Sequence, residues 1–212
     1  MENAVWWSAA AVTGGRPGLG FVLRDPGWEP AQVLHHWQEP VERGEVPPSI
    51  DSPKVFRVRG AGPGVRRNEP RLPPLFASGG FVFAANAGVE VLKALGGPLR
   101  MVPATLLDSK GEKVEEPVEI VVPAAAKAAV QLSASPIAAR LPWRSGRPRT
   151  LLSASRDFAD ADVVVSSVAL DPPDIWVDPV YLGTLFFSAA AKTAVTEAGL
   201  ERSFEFRSAP VI

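Results

Sequence analysis

Apolar and polar positions along this chain change over in short bursts, and glycine or proline closes most of them. The pattern predicts short strands and a few short helices rather than long ones. Val5-Trp6-Trp7-Ser8 sits in an apolar run that reads as a buried first strand. Pro30 can open a short helix with Val33, Leu34 and Trp37 on one face, closed by Pro40. Residues 44–53 and 60–74 read as loops, the second exposed and basic. Lys54 to Arg59 alternates as a half-buried strand whose inward face the pattern leaves open.

The clearest signals begin at Phe81. Phe81-Val82-Phe83 predicts a strand, and a helix opening at Ala84 or Asn86 carries Val89, Val91, Leu92 and Leu95. Gly96-Gly97 stops it, because glycine accepts the left-handed backbone of a helix end. Leu99 to Pro103 is extended again. A hairpin follows: Ala104–Leu107 and 114–122 are its arms, and Asp108-Ser109-Lys110-Gly111 has tight-turn chemistry. Val118, Ile120 and Val122 share the inward face, with Glu119 and Val121 opposite. Residues 124–133 read equally as helix by alanine content or as strand near Val130. Asp162 to Leu170 reads as a strand by its β-branched content. Ile175-Trp176-Val177 is another, broken by Pro179.

The order strand–helix–strand recurs. Phe81 to Ala84, a helix to Leu95, Gly-Gly, and Leu99 to Pro103 form one unit. Leu185-Phe186-Phe187-Ser188, a helix to Ala198, Gly199, and an extended Phe204 to Pro210 form the other. At one constant offset Leu185 falls on Phe81, Val195 on Val91 and Ala198 on Ala94. Ser188 is a good helix N-cap because its hydroxyl can accept an orphan backbone N–H. Neither unit can bury its helix alone, so the expected fold is α+β, with mostly antiparallel sheet and a few short helices around a central hairpin.

Composition narrows the function classes. A chain of 212 residues that is 46% hydrophobic can bury a sizeable core. A formal net charge of −1 is a poor match to a nucleic-acid binder, which needs a basic excess against phosphates. With no cysteine there is no thiolate nucleophile, thiolate metal site or disulfide, which suits a cytoplasmic protein. The apolar run after Glu2 lacks the preceding positive charge of a signal peptide. No stretch reaches the apolar length of a membrane helix, so no membrane partner is expected.

At the repeat, the sequence resembles the immunity proteins of bacterial polymorphic toxin systems, in the family numbered eleven. The second unit carries the closer similarity. Val168-Ala169-Leu170-Asp171-Pro172 and Asp174-Ile175-Trp176-Val177 look like two of its strands. Leu185-Phe186-Phe187-Ser188 is similar to its strand-to-helix step. Glu197-Ala198-Gly199-Leu200 looks like its helix end, and Phe204 to Val211 like its closing strand. The first unit is looser, with Ala84-Ala85 where the family favours Val-Ser. The resemblance covers roughly residues 75–212, an immunity-like α+β domain. Residues 1–74 form an N-terminal segment of strand, short helix and loops expected to pack on it. What the family implies is a protein that binds a cognate toxin and blocks it, without catalytic residues or cofactor.

Chemistry of the chain's own must be sought among few candidates. His35 and His36 are adjacent, and helix neighbours point about 100° apart, a poor arrangement for one metal. A serine triad would need one of them as its base, and no Gly-x-Ser-x-Gly elbow exists. Asp157, Asp160 and Asp162, with Asp171, Asp174 and Asp178 beyond, form an acidic run, and a hydrolase using clustered aspartates is the competing enzyme reading. For a binding protein, Trp143 with Arg144 and Arg147 stands out in a polar loop, because Trp and Arg are enriched at interface hot spots. Asp157, Asp160 and Asp162 are the acidic counterpart. A third reading is an assembly protein that uses its first strand to form a homo-oligomer.

Overall fold

The computed structural model describes residues 4–10, 21–23, 36–37, 39–47, 50, 54–58, 72–78, 81–108, 110–137, 143–144, 147–148 and 158–212. Two sheets hold the chain together, and the fold is α+β as the pattern predicts. One sheet has four strands in the order β10 (Ile175–Asp178), β11 (Tyr181–Ser188), β1 (Val5–Ser8), β12 (Phe206–Ala209), all antiparallel. The other has six, in the order β2 (Phe21–Leu23), β3 (Lys54–Val58), β6 (Leu99–Leu107), β7 (Val118–Pro123), β5 (Phe81–Ala85), β4 (Leu75–Ser78). There β3 and β6 run parallel and every other pair is antiparallel.

The repeat is architectural. In the first unit β5, helix α2 (Ala87–Leu95) and β6 follow in sequence, yet β5 and β6 flank β7, so they run parallel with one strand inserted between them. In the second, β11, helix α3 (Ala189–Glu197) and β12 follow, and β1 is the inserted strand. Both units are thus split strand–helix–strand crossovers. Their helices pack on each other. Val89 and Leu92 of α2, with Ala191 and Val195 of α3, meet Val121 of one sheet and Phe187 of the other in a shared core.

Two further cores cover the outer faces. Trp7, Trp176 and Phe186 pack against Phe158, Val163 and Val165. Phe56, Phe76, Phe83, Ile120 and Val122 pack with Trp37. β7 is therefore buried on both faces, and Val121, expected to face outward, lies in the shared core. Phe56, not Val55, faces inward on β3.

Several elements differ from expectation for identifiable reasons. Pro40 lies in the first turn of α1 (Glu39–Glu42), where its missing N–H costs nothing, and most of the helix expected before it lies outside the described residues. Leu99–Leu107 is one strand, with Pro103 inside it. Residues 124–130 are neither helix nor regular strand. They run extended along the edge of β10, with Lys127 N–H on the Val177 carbonyl (3.0 Å) and Val177 N–H on the Ala125 carbonyl (3.1 Å). Residues 162–170 form no strand: Val165 makes single bridges to Val130 and Val211, and Ser167–Leu170 is a 3-10 turn. Phe204 ends a short helix, α4 (Glu201–Phe204), and Glu205 takes a left-handed backbone before β12 begins.

Candidate functional site

The loop Asp108–Glu112 closes as expected, with the Asp108 carboxylate accepting from the N–H groups of Lys110 (2.7 Å) and Glu112 (2.9 Å). Just inside it the hairpin opens. β6 and β7 are in register from Leu99–Pro123 to Ala104–Val118, and the arms meet again only at Leu107–Lys113. Two residues of one arm thus face four of the other; the Val114 N–H still reaches the Leu106 carbonyl (2.9 Å), and Glu115–Pro117 forms the bulge. Beside this bulge lies an open groove of about 880 Å³.

Its charged lining is balanced. Lys54, Arg100 and Lys113 supply three cations; Glu115, Glu116 and Glu119 supply three carboxylates. Lys54 is only 1% exposed, and its ammonium lies 5.9 Å from the centre of the Trp37 ring. Glu116 Oε2 accepts from the Leu72 N–H (3.1 Å) and from the Asn86 side-chain amide (2.9 Å). Asn86 holds φ 49°, ψ −123° at the start of α2, a conformation that side chains rarely adopt, and its amide turns to Glu116 instead of capping the helix. Glu119 Oε1 pairs with Lys93 at 2.6 Å, which raises the Lys93 pKa, with the hydrogen bond as the main cause. Arg100, Lys113 and Glu115 are exposed on the rim.

A second constellation lies at the edge of β10. The ammonium of Lys127 is held from three sides, by the carbonyls of Ala169 (3.3 Å), Pro173 (2.9 Å) and Asp171. It also sits 3.7 Å above the Trp176 ring. Burial lowers its pKa; the nearby charges of Asp171 and Asp174 oppose that shift. The neighbouring Asp178 carboxylate is fully buried and accepts from the N–H groups of Ala129 (2.8 Å), Val130 (2.7 Å) and Val180 (2.9 Å). Burial is the main cause that raises its pKa, partly offset by those three donors.

The residues singled out from sequence fall in separate places. Trp143 and Arg144 pair with Pro148 and Arg147 as a short antiparallel ribbon, β8 (Trp143–Arg144) with β9 (Arg147–Pro148). Asp157 lies outside the described residues, as do Trp28 and His35. Asp160 accepts from the Ser208 N–H (2.7 Å) and Asp162 from the Ala159 N–H (2.8 Å). Asp174 accepts from the Ser188 hydroxyl at 2.6 Å. These aspartates thus fix turns and strand edges of their own fold, and among the described residues no group of three or more His, Cys, Asp or Glu is placed to hold a metal ion. His36 is exposed beside the buried Trp37. No described helix is long and apolar enough to cross a membrane.

Lys54, Glu116, Asn86 and Lys127 were not flagged by sequence. A lone lysine within Ala124-Ala125-Ala126-Lys127-Ala128-Ala129 was the available signal, since an isolated cation in an apolar run must find acceptors. Compared with known proteins, the chain matches no family model and no curated protein.

Proposed function

We propose that this chain is an immunity protein, one that binds a cognate bacterial toxin in the cytoplasm and neutralises it by protein–protein contact. In this reading it performs no catalysis and needs no cofactor. The observation that carries it is the open groove beside the β6–β7 hairpin, whose exposed rim carries Arg100, Lys113 and Glu115. Such a surface suits a protein segment that presents both signs of charge, and complementary rim charges steer association. The resemblance read from the sequence of residues 168–211 points the same way, and those residues contain the two strands and the helix of the second unit.

Co-expression with the toxin encoded beside this gene is expected to restore growth. Failure of rescue by a soluble, folded chain overturns the reading. Arg100→Glu combined with Lys113→Glu reverses the basic rim without touching a core, and it is expected to slow association by about tenfold, most at low salt, in stopped-flow measurements.

A further inference from the structure

We infer that the turn Ser167–Asp174 is a second docking surface, built for a partner protein that surrounds an apolar cleft with basic residues. Val168 is 46% exposed and Leu170 42%, whereas Ala169 between them is 1% exposed and anchors the turn in the core. The side chains that could have been buried point outward, and the small one points in. Asp171 and Asp174 are exposed beside them. Lys127, 7% exposed, lies beneath the turn on its backbone carbonyls, so the charged side chains that the turn itself exposes are the two carboxylates.

The backbone under this patch is pinned by hydrogen bonds from inside the fold. Lys127 binds the carbonyls of Ala169, Asp171 and Pro173 from inside. The Ser166 N–H donates to the Ala129 carbonyl (2.8 Å), and the Asp171 N–H closes on Val168 (3.3 Å). Pro172 and Pro173 lack N–H groups, so an internal donor is what satisfies this acceptor-rich stretch. Burying an ammonium is costly. Here it immobilises a surface turn whose two larger apolar side chains keep more than 40% of their surface in water. A docking surface gains from this, because fixing it beforehand removes the entropy lost on binding. The carboxylates select a basic partner face, and Val168 and Leu170 fill the cleft.

This inference rests on the reading of the chain as a toxin-binding protein, and the partner is the toxin. Binding of the purified toxin encoded beside the gene is measured by titration calorimetry with three chains: wild type, Val168→Ser/Leu170→Ser, and Asp171→Lys. Both variants change exposed side chains, and unchanged thermal unfolding confirms their fold. The double variant is expected to weaken binding about thirtyfold, and Asp171→Lys about tenfold with a reduced salt dependence. Wild-type affinity in both folded variants overturns the docking surface alone, leaving the groove as the contact. No binding by the wild-type chain overturns both readings.

Discussion

Asp178 shows what a single residue costs and holds here. Its carboxylate lies wholly out of solvent and gathers three N–H groups that no regular strand partner takes. Asn at this position keeps one acceptor and turns an amide donor toward an N–H, so Asp178→Asn is expected to lose about 1–3 kcal/mol, read from denaturant midpoints. The pH dependence has a definite sign. The folded pKa is raised above the ordinary value, so between the two the native state holds more protons than the unfolded chain, and stability falls as pH rises through that window. The advantage of wild type over the variant is therefore largest below the ordinary carboxylate range and shrinks on raising the pH across it. Sequence alone reads Asp178 as one more member of the acidic run. The contacts that distinguish it come from residues 129–130, nearly fifty positions away, and no local pattern encodes them. Val121 was misread for a related reason: alternation assumes one solvated face, and a strand buried between two cores has none.

At the scale of elements, local chemistry carries further. Ser188 caps α3 through its hydroxyl, which accepts from the Ala191 N–H at 3.2 Å while donating to Asp174. Ser188→Ala is expected to lower stability by about 1 kcal/mol, seen as a reduced unfolding temperature with unchanged secondary structure by circular dichroism. The glycine stops at Gly96-Gly97 and Gly199 carry positive φ, as their positions demand. Both strand–helix–strand units were legible because each is written in consecutive strand, helix and stop signals; the strand inserted in each was not, because it comes from elsewhere in the chain. Residues 124–130 and 162–170 were not. Their side chains are apolar enough for regular structure, but their backbone groups are paired one at a time with distant segments, and the extended run is fixed by Lys127 and Asp178 rather than by propensity. The clamp and the groove were invisible for the same reason, since each is assembled from residues far apart in sequence.

For the molecule as a whole, the position of β1 is decisive. Val5 lies between Ser188 and Ala209, and the strand uses both edges. Ser8 donates from its hydroxyl to the Phe204 carbonyl (2.6 Å), and Thr184 donates to the Ser8 carbonyl (2.9 Å). A strand occupied on both sides has no free edge to pair with a second copy. Removing residues 1–8 is therefore expected to unfold the four-stranded sheet, with loss of circular-dichroism signal and of solubility, rather than merely change an oligomeric state. The same placement sets a timetable for biosynthesis. A ribosome adds roughly 5–20 residues per second, so β1 is made about 10–40 s before β12 exists to flank it. Through that interval β1 lacks one of its two flanking strands, and β12 supplies that edge only once it has been made.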